Sequence, residues 1–285
     1  MPRAELRSAT INFMKMGSWD PGRAPLVLVH GLAASSAFWF HVAETMSRDR
    51  PVLVYDLRGH GRSAVPETGY RPADHAGDLL DLLDHLQIEK AALGGHSFGG
   101  SVVLHAARRA PERFTRLILA DTRLRAFQPV LTPADWPRWP EQRVALEKAG
   151  LGMAEDEPEA GVAVLTLLAR LTLQAEPGSA LPHWMVEFFG QRQSRHTAAR
   201  WIDLVEKTSL PADIRREDDL SVDVLRGFPQ PLLAVYGEHS PLLPSGRALH
   251  GIRPDVELRI VPGAGHFFPA GRPKELIDPL QVFLG

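Results

Sequence analysis

Six short apolar runs punctuate the chain: Pro25–His30, Pro51–Tyr55, Ala91–Gly94, Arg116–Asp121, Pro231–Tyr236 and Val256–Val261. The first five are continuous rather than alternating, the pattern of a strand covered on both faces. Segments of helical period lie between them. Ala76, Leu79, Leu80, Leu83 and Leu86 recur at helical spacing through Ala73–Leu86, with carboxylates on the other side. Gly100–Ala110 is apolar and stops at Pro111. Buried strands alternating with helices predict an α/β fold, a mostly parallel sheet flanked by helices. Ala9, Ile11 and Phe13 alternate within Ser8–Met16, which predicts an antiparallel edge strand.

One stretch breaks this rhythm. Roughly 110 residues separate the run ending at Asp121 from the run starting at Pro231, too many for a loop without structure. Helical patterns fill it at Glu141–Ala149, Glu159–Thr172, His183–Thr208 and Leu220–Arg226, separated by Pro and Gly clusters. The economical division is a core formed by residues 1–122 and 229–285, with residues 123–228 inserted as a helical cap. Trp136, Trp139, Trp184, Trp201, Phe188 and Phe189 all fall in this insertion.

Composition narrows the chemistry. The 285 residues are 44% hydrophobic and 23% charged, ordinary usage for a globular chain. Lys plus Arg is 32 and Asp plus Glu is 34, so no basic excess exists to neutralise a nucleic-acid backbone. There is no cysteine, which removes disulfides, thiolate-bound zinc, iron–sulfur clusters and a thiol nucleophile. Met1–Asp20 lacks the apolar core of a signal peptide, and no run of about eighteen apolar residues occurs. A soluble cytoplasmic protein is expected, acting on a small molecule without nucleic-acid or membrane partners. Neither a phosphate-binding glycine loop nor metal-ligand spacing among the 12 histidines is present, so no cofactor or metal is expected.

Covalent chemistry would then fall to a hydroxyl, carboxylate or amine. Gly95-His-Ser-Phe-Gly99 reads G-x-S-x-G between an apolar run and a helical one. That context places Ser97 on a sharp strand-to-helix turn, with glycines allowing close backbone passage and a helix N-terminus behind the hydroxyl. Ser97 is the candidate nucleophile.

With His30-Gly31 after one strand, Asp56-Leu-Arg-Gly-His-Gly-Arg-Ser63 after the next, Gly95–Gly100, and Gly263-Ala-Gly-His266 after the last, the sequence resembles the α/β-hydrolase superfamily. The likeness is to its capped, esterase-like branch and runs from about Pro25 to Leu284. The resemblance implies His266 as general base and the backbone amides of Leu32 and Phe98 as the oxyanion hole. His30 would shape the oxyanion loop and His96 would be structural. His41, His60, His75, His85, His105, His183, His196 and His250 would be surface or cap residues. Asp56 and Arg58 would form a salt-bridged turn.

The acid is where the chain departs from that pattern. Relatives carry it in a segment like G-x-x-D after the penultimate strand, and here the segment reads Gly237-Glu-His-Ser240. Asp121, at the end of an earlier strand, is the candidate acid; Glu238 could instead reach back, or the triad could lack a carboxylate. Phe38, Trp39, Trp136 and Trp184 are expected to line a pocket between cap and sheet. The implied activity is a serine hydrolase of an ester, thioester or related acyl bond, on a substrate with an apolar or aromatic group. The alternative is a non-hydrolytic member, an acyltransferase, cyclase, isomerase or binder, with a modified triad.

Overall fold

The computed structural model describes residues 2–19, 22–137, 139–148, 152–176, 194–216 and 218–285. Its centre is an eight-stranded sheet of β1 (Arg3–Glu5), β2 (Thr10–Met16), β3 (Leu26–Val29), β4 (Val52–Tyr55), β5 (Ala91–His96), β6 (Phe114–Ala120), β7 (Leu232–Gly237) and β8 (Glu257–Val261). The order across it is β1-β2-β4-β3-β5-β6-β7-β8. All pairs from β4 to β8 are parallel, while β1–β2 and β2–β4 are antiparallel.

Every side chain of β3, β4, β5 and β7 is buried. The period of two sorts them between faces. Val27, Val29, Leu53 and Tyr55 join one apolar cluster with Leu79 and Leu83 of α2 (Pro72–His85) and Val102 and Val103 of α3 (Phe98–Arg109). Leu26, Leu28, Val52 and Val54 join another with Val42 of α1 (Phe40–Met46) and Leu276 and Leu280 of a C-terminal helix, Lys274–Leu284. Helices therefore cover both faces, as the continuous apolar runs require. The segment expected at the sheet edge is β2, but it lies one strand in. β1 forms the edge; with three residues and only Ala4 buried, it offers no period to detect.

The stretch between β6 and β7 is helical, and none of its described residues forms a strand. It holds α4 (Trp139–Lys148), α5 (Ala160–Gln174), α6 (Arg195–Lys207), α7 (Leu210–Arg215) and α8 (Val222–Arg226). The first part of the helix expected at His183–Thr208 lies outside the described residues. Trp201 of α6 is wholly buried in a small cluster with Ala169, Leu204 and Leu210, and its indole N–H donates to Thr166 Oγ1 at 3.1 Å. Ala33 and Tyr70, from loops after β3 and β4, join the same cluster, so these helices seat on the sheet's carboxyl edge. After β7 come α9 (Leu243–Ile252), α10 (Phe268–Gly271) and α11, the C-terminal helix already placed.

Candidate active site

β5 ends at His96, and the chain turns into α3 through Ser97, whose φ of 55° and ψ of −122° are strained for a residue with a side chain. The turn closes because Gly95 and Gly99 carry no Cβ. A Cβ on Gly95 would lie 2.3 Å from the Gly99 carbonyl oxygen, and one on Gly99 would lie 2.3 Å from that of Val29. Strain and close approach together lift the Ser97 hydroxyl above the sheet at the start of a helix.

His266 follows β8 on the same edge. Its Nε2 lies 3.1 Å from Ser97 Oγ, and its Nδ1 lies 2.9 Å from Asp121 Oδ1. With the carboxylate as acceptor, Nδ1–H donates to Asp121 and Nε2 is left to accept from the serine. Asp121 lies just past β6 and is wholly buried. Its other oxygen, Oδ2, accepts from the Gly237 amide at 2.8 Å. Ser240, which stands where relatives carry the acid, donates its hydroxyl to Asp121 Oδ1. The three segments beyond β6, β7 and β8 thus meet on one carboxylate. Glu238 does not join them: it is exposed, and its Oε2 accepts from the Gly263 amide of the loop after β8 at 2.7 Å.

Gly31 and Leu32 follow β3 beside the serine, and a Cβ on Gly31 would lie 3.1 Å from Ser97 Cβ. The amides of Leu32 and Phe98 have no acceptor among the described residues, and both residues line the cavity with Ser97 and His266. His30 holds this loop. It is wholly buried, Nδ1–H donates to the Gly31 carbonyl at 2.7 Å, and Nε2 accepts from the Leu57 amide at 3.0 Å. Burial pushes its pKa down, against the opposing charge of Asp56. His96 donates from Nε2 to the His266 carbonyl at 3.0 Å and stacks on Phe38 at 4.5 Å. Burial and the neighbouring His266 hold it well below the usual histidine value. The tie from His96 to the base's own backbone has no local sequence signal, because its partner lies 170 residues away.

Several expectations need correction. Trp39 does not line the cavity; its ring is wholly buried beneath it, edge-on to Phe38, in the cluster between sheet and α1. Phe38 and Trp136 do line the cavity, whose volume is about 270 Å³. Trp184 lies outside the described residues. His60, His75 and His105 are not surface residues, since aromatic neighbours and helix packing bury them. Asp56 and Arg58 do not pair with each other. Arg58 binds Asp78 of α2, while Asp56 accepts from the amides of Ser36 and Arg62.

A serine, an imidazole and a buried carboxylate in hydrogen-bonded series, with two free amides beside the serine, can generate a nucleophile and hold an oxyanion. Comparison with known proteins agrees with the fold. Residues 24–273 match the family model of the alpha/beta hydrolase fold. The chain is 26% identical to an uncharacterized hydrolase, YugF, of Bacillus subtilis, over 93% of this chain and 91% of that one. It is 27% identical to the dihydrolipoyllysine-residue acetyltransferase component of the acetoin cleaving system of Pseudomonas putida, over 99% of this chain and 68% of that one. Among solved structures, the enol-lactonase from Burkholderia xenovorans superposes with a TM-score of 0.70 at 21% identity, over 99% of each chain. The chain belongs to the α/β-hydrolase fold family. No helix among the described residues is long and apolar enough to cross a membrane.

Proposed function

We propose that this protein is a serine hydrolase that cleaves an ester, thioester or related acyl bond of a small substrate through an acyl-enzyme. The observation that carries the reading is the series Asp121 Oδ1–His266 Nδ1 at 2.9 Å and His266 Nε2–Ser97 Oγ at 3.1 Å. Ser97 attacks the acyl carbon while His266 takes its proton; the amides of Leu32 and Phe98 hold the oxyanion. His266 then returns the proton to the leaving group, and water repeats the sequence on the acyl-enzyme. Asp121 keeps the imidazole in the required tautomer and offsets its transient charge. Helices between β6 and β7 form one wall of the pocket, and Phe38, Trp136 and Phe267 give the pocket apolar surface for the acyl or alcohol group.

A fluorophosphonate probe tests the reading. Folded protein should be labelled at Ser97 and a His266→Ala variant far more slowly; absence of labelling in folded wild-type protein would overturn the covalent mechanism. Acyl transfer is the second reading, favoured by the likeness to an acetyltransferase component. It uses the same residues and replaces water with another acceptor. The two separate in the product ratio when an alcohol or thiol is added during turnover of an activated ester.

A further inference from the structure

Glu159 closes the cavity wall opposite the sheet, at the start of α5, with a left-handed φ of 59°. Two guanidinium groups share it. Arg123 Nη1 lies 2.7 Å from Oε2 and Arg125 Nη1 lies 2.9 Å from Oε1. The two cations share one carboxylate, and Arg125 also lies within electrostatic reach of Asp218. Burial, and further the charge of Arg125, push the Arg123 pKa below its ordinary value against the pull of Glu159.

The two arginines differ in what remains free. Every nitrogen of Arg123 is engaged, since Nε donates to the Gln128 carbonyl, Nη2 to that of Pro129 and Nη1 to Glu159. Arg125 uses only Nη1, which also donates to the Ile214 carbonyl at 3.0 Å. Its Nε and Nη2 have no partner among the described residues, and they are not among the nitrogens sealed from solvent without one. Arg125 lines the same cavity as Ser97. The other carboxylates there already have partners. Asp213 accepts from the Tyr70 amide, Asp218 from His105 Nε2 and the Leu220 amide, and Asp219 pairs with Arg108.

The open Nε–Nη2 edge is the one this chain uses elsewhere to grip carboxylates. Arg58 holds both oxygens of Asp78 through it, and Arg253 holds both oxygens of Asp255 the same way. We propose that Arg125 is a carboxylate receptor in the cavity, and that the substrate is an acyl compound carrying a free carboxylate besides its scissile bond. Such an edge matches a planar carboxylate with two parallel hydrogen bonds. The proposal rests on the acyl-hydrolase reading for the fate of the ligand, but not for its binding.

Two measurements separate the two claims. In the first, a series of aryl monoesters of dicarboxylic acids, from succinate to adipate, is compared with neutral esters of equal length. One acid of the series should show a higher kcat/KM than its neutral counterpart, and Arg125→Met should remove about 10- to 100-fold of that preference. The neutral ester, measured on each variant, sets the baseline against which that preference is read. Arg125→Lys, which keeps the charge and loses the fork, should fall between; it also guards against an Arg125→Met chain that does not fold. In the second, calorimetry follows binding of succinate, glutarate and adipate to Ser97→Ala protein, which needs no turnover. Binding of one dicarboxylate that Arg125→Met weakens about 10-fold or more supports the receptor even if no ester is cleaved. Equal kcat/KM for charged and neutral esters, or dicarboxylate binding unchanged by Arg125→Met, overturns it.

Discussion

The carboxylate of Asp121 sits at zero exposure with three donors around it: the Gly237 amide, the Ser240 hydroxyl and Nδ1–H of His266. A buried anion is stable only when so surrounded. Ser240 therefore supports the Asp121 carboxylate by donating to it. Asp121→Asn keeps the shape but cannot stabilise an imidazolium and favours the wrong tautomer, so kcat on an activated ester should fall on the order of 10³–10⁴-fold. Ser240→Ala leaves the charge with one donor fewer. Urea unfolding should record a loss of about 1–3 kcal/mol, with a much smaller fall in kcat than Asp121→Asn gives. Glu238→Gln should be neutral in both measurements. Near wild-type kcat in Asp121→Asn would move the acid elsewhere. Ser97 was legible in sequence because the elbow's requirements are local: a glycine on either side, a strand before and a helix after. For the acid the sequence favoured Asp121 but left Glu238 and no carboxylate open, because the choice depends on where three distant loops converge.

At the scale of elements, the site is held by the crossing of β3, β5 and α3. The Val29 and His30 carbonyls press so closely on α3 that a Cβ at Gly99 has no room; it would meet them at 2.3 Å and 2.6 Å. Backbone cannot yield as a flexible side chain does. Gly99→Val should cost about 1–3 kcal/mol or more in chemical denaturation and abolish Ser97 labelling by shifting the elbow. A variant that keeps both stability and labelling would show that this contact is dispensable. The sheet was readable because burial on both faces writes continuous apolar runs, and α2 and α3 because their apolar period is long. The registers, the edge strand β1 and the helices α1, α9 and α11 were not assigned from sequence. In α11 the buried Leu276, Ile277, Leu280 and Leu284 do follow a helical stripe, but Pro279 interrupts it and obscures the pattern.

Across the whole molecule, the histidines set how the fold responds to acid. His30, His60, His75 and His96 are all buried. Burial pushes His60 down to about 3, with further lowering from His30, and holds His75 and His96 well below the ordinary 6.5. These groups are neutral in the folded chain, whereas the unfolded chain protonates them near pH 6.5. Stability is therefore full above that pH and falls as pH drops below it toward the folded values. The depressed carboxylates Asp56, Asp213 and Asp218 act lower, losing their contribution only as pH falls below about 3.8. Between pH 6.5 and 4.5 the slope belongs to the histidines. For His60, at about 3, the loss is about 2 kcal/mol at pH 5, large against a net stability of about 5–15 kcal/mol. His75 isolates the effect, for it lies 5.1 Å edge-on to Phe98 and both of its ring nitrogens are buried without a hydrogen-bond partner among the described residues. His75→Phe keeps the aromatic contact and removes the titrating group. Urea unfolding across pH 4.5–7.5 should then lose about 1.4 kcal/mol per pH unit from its acid slope, with neutral-pH stability equal or higher. An unchanged acid slope would show that His75 protonates as readily in the folded chain as in the unfolded one.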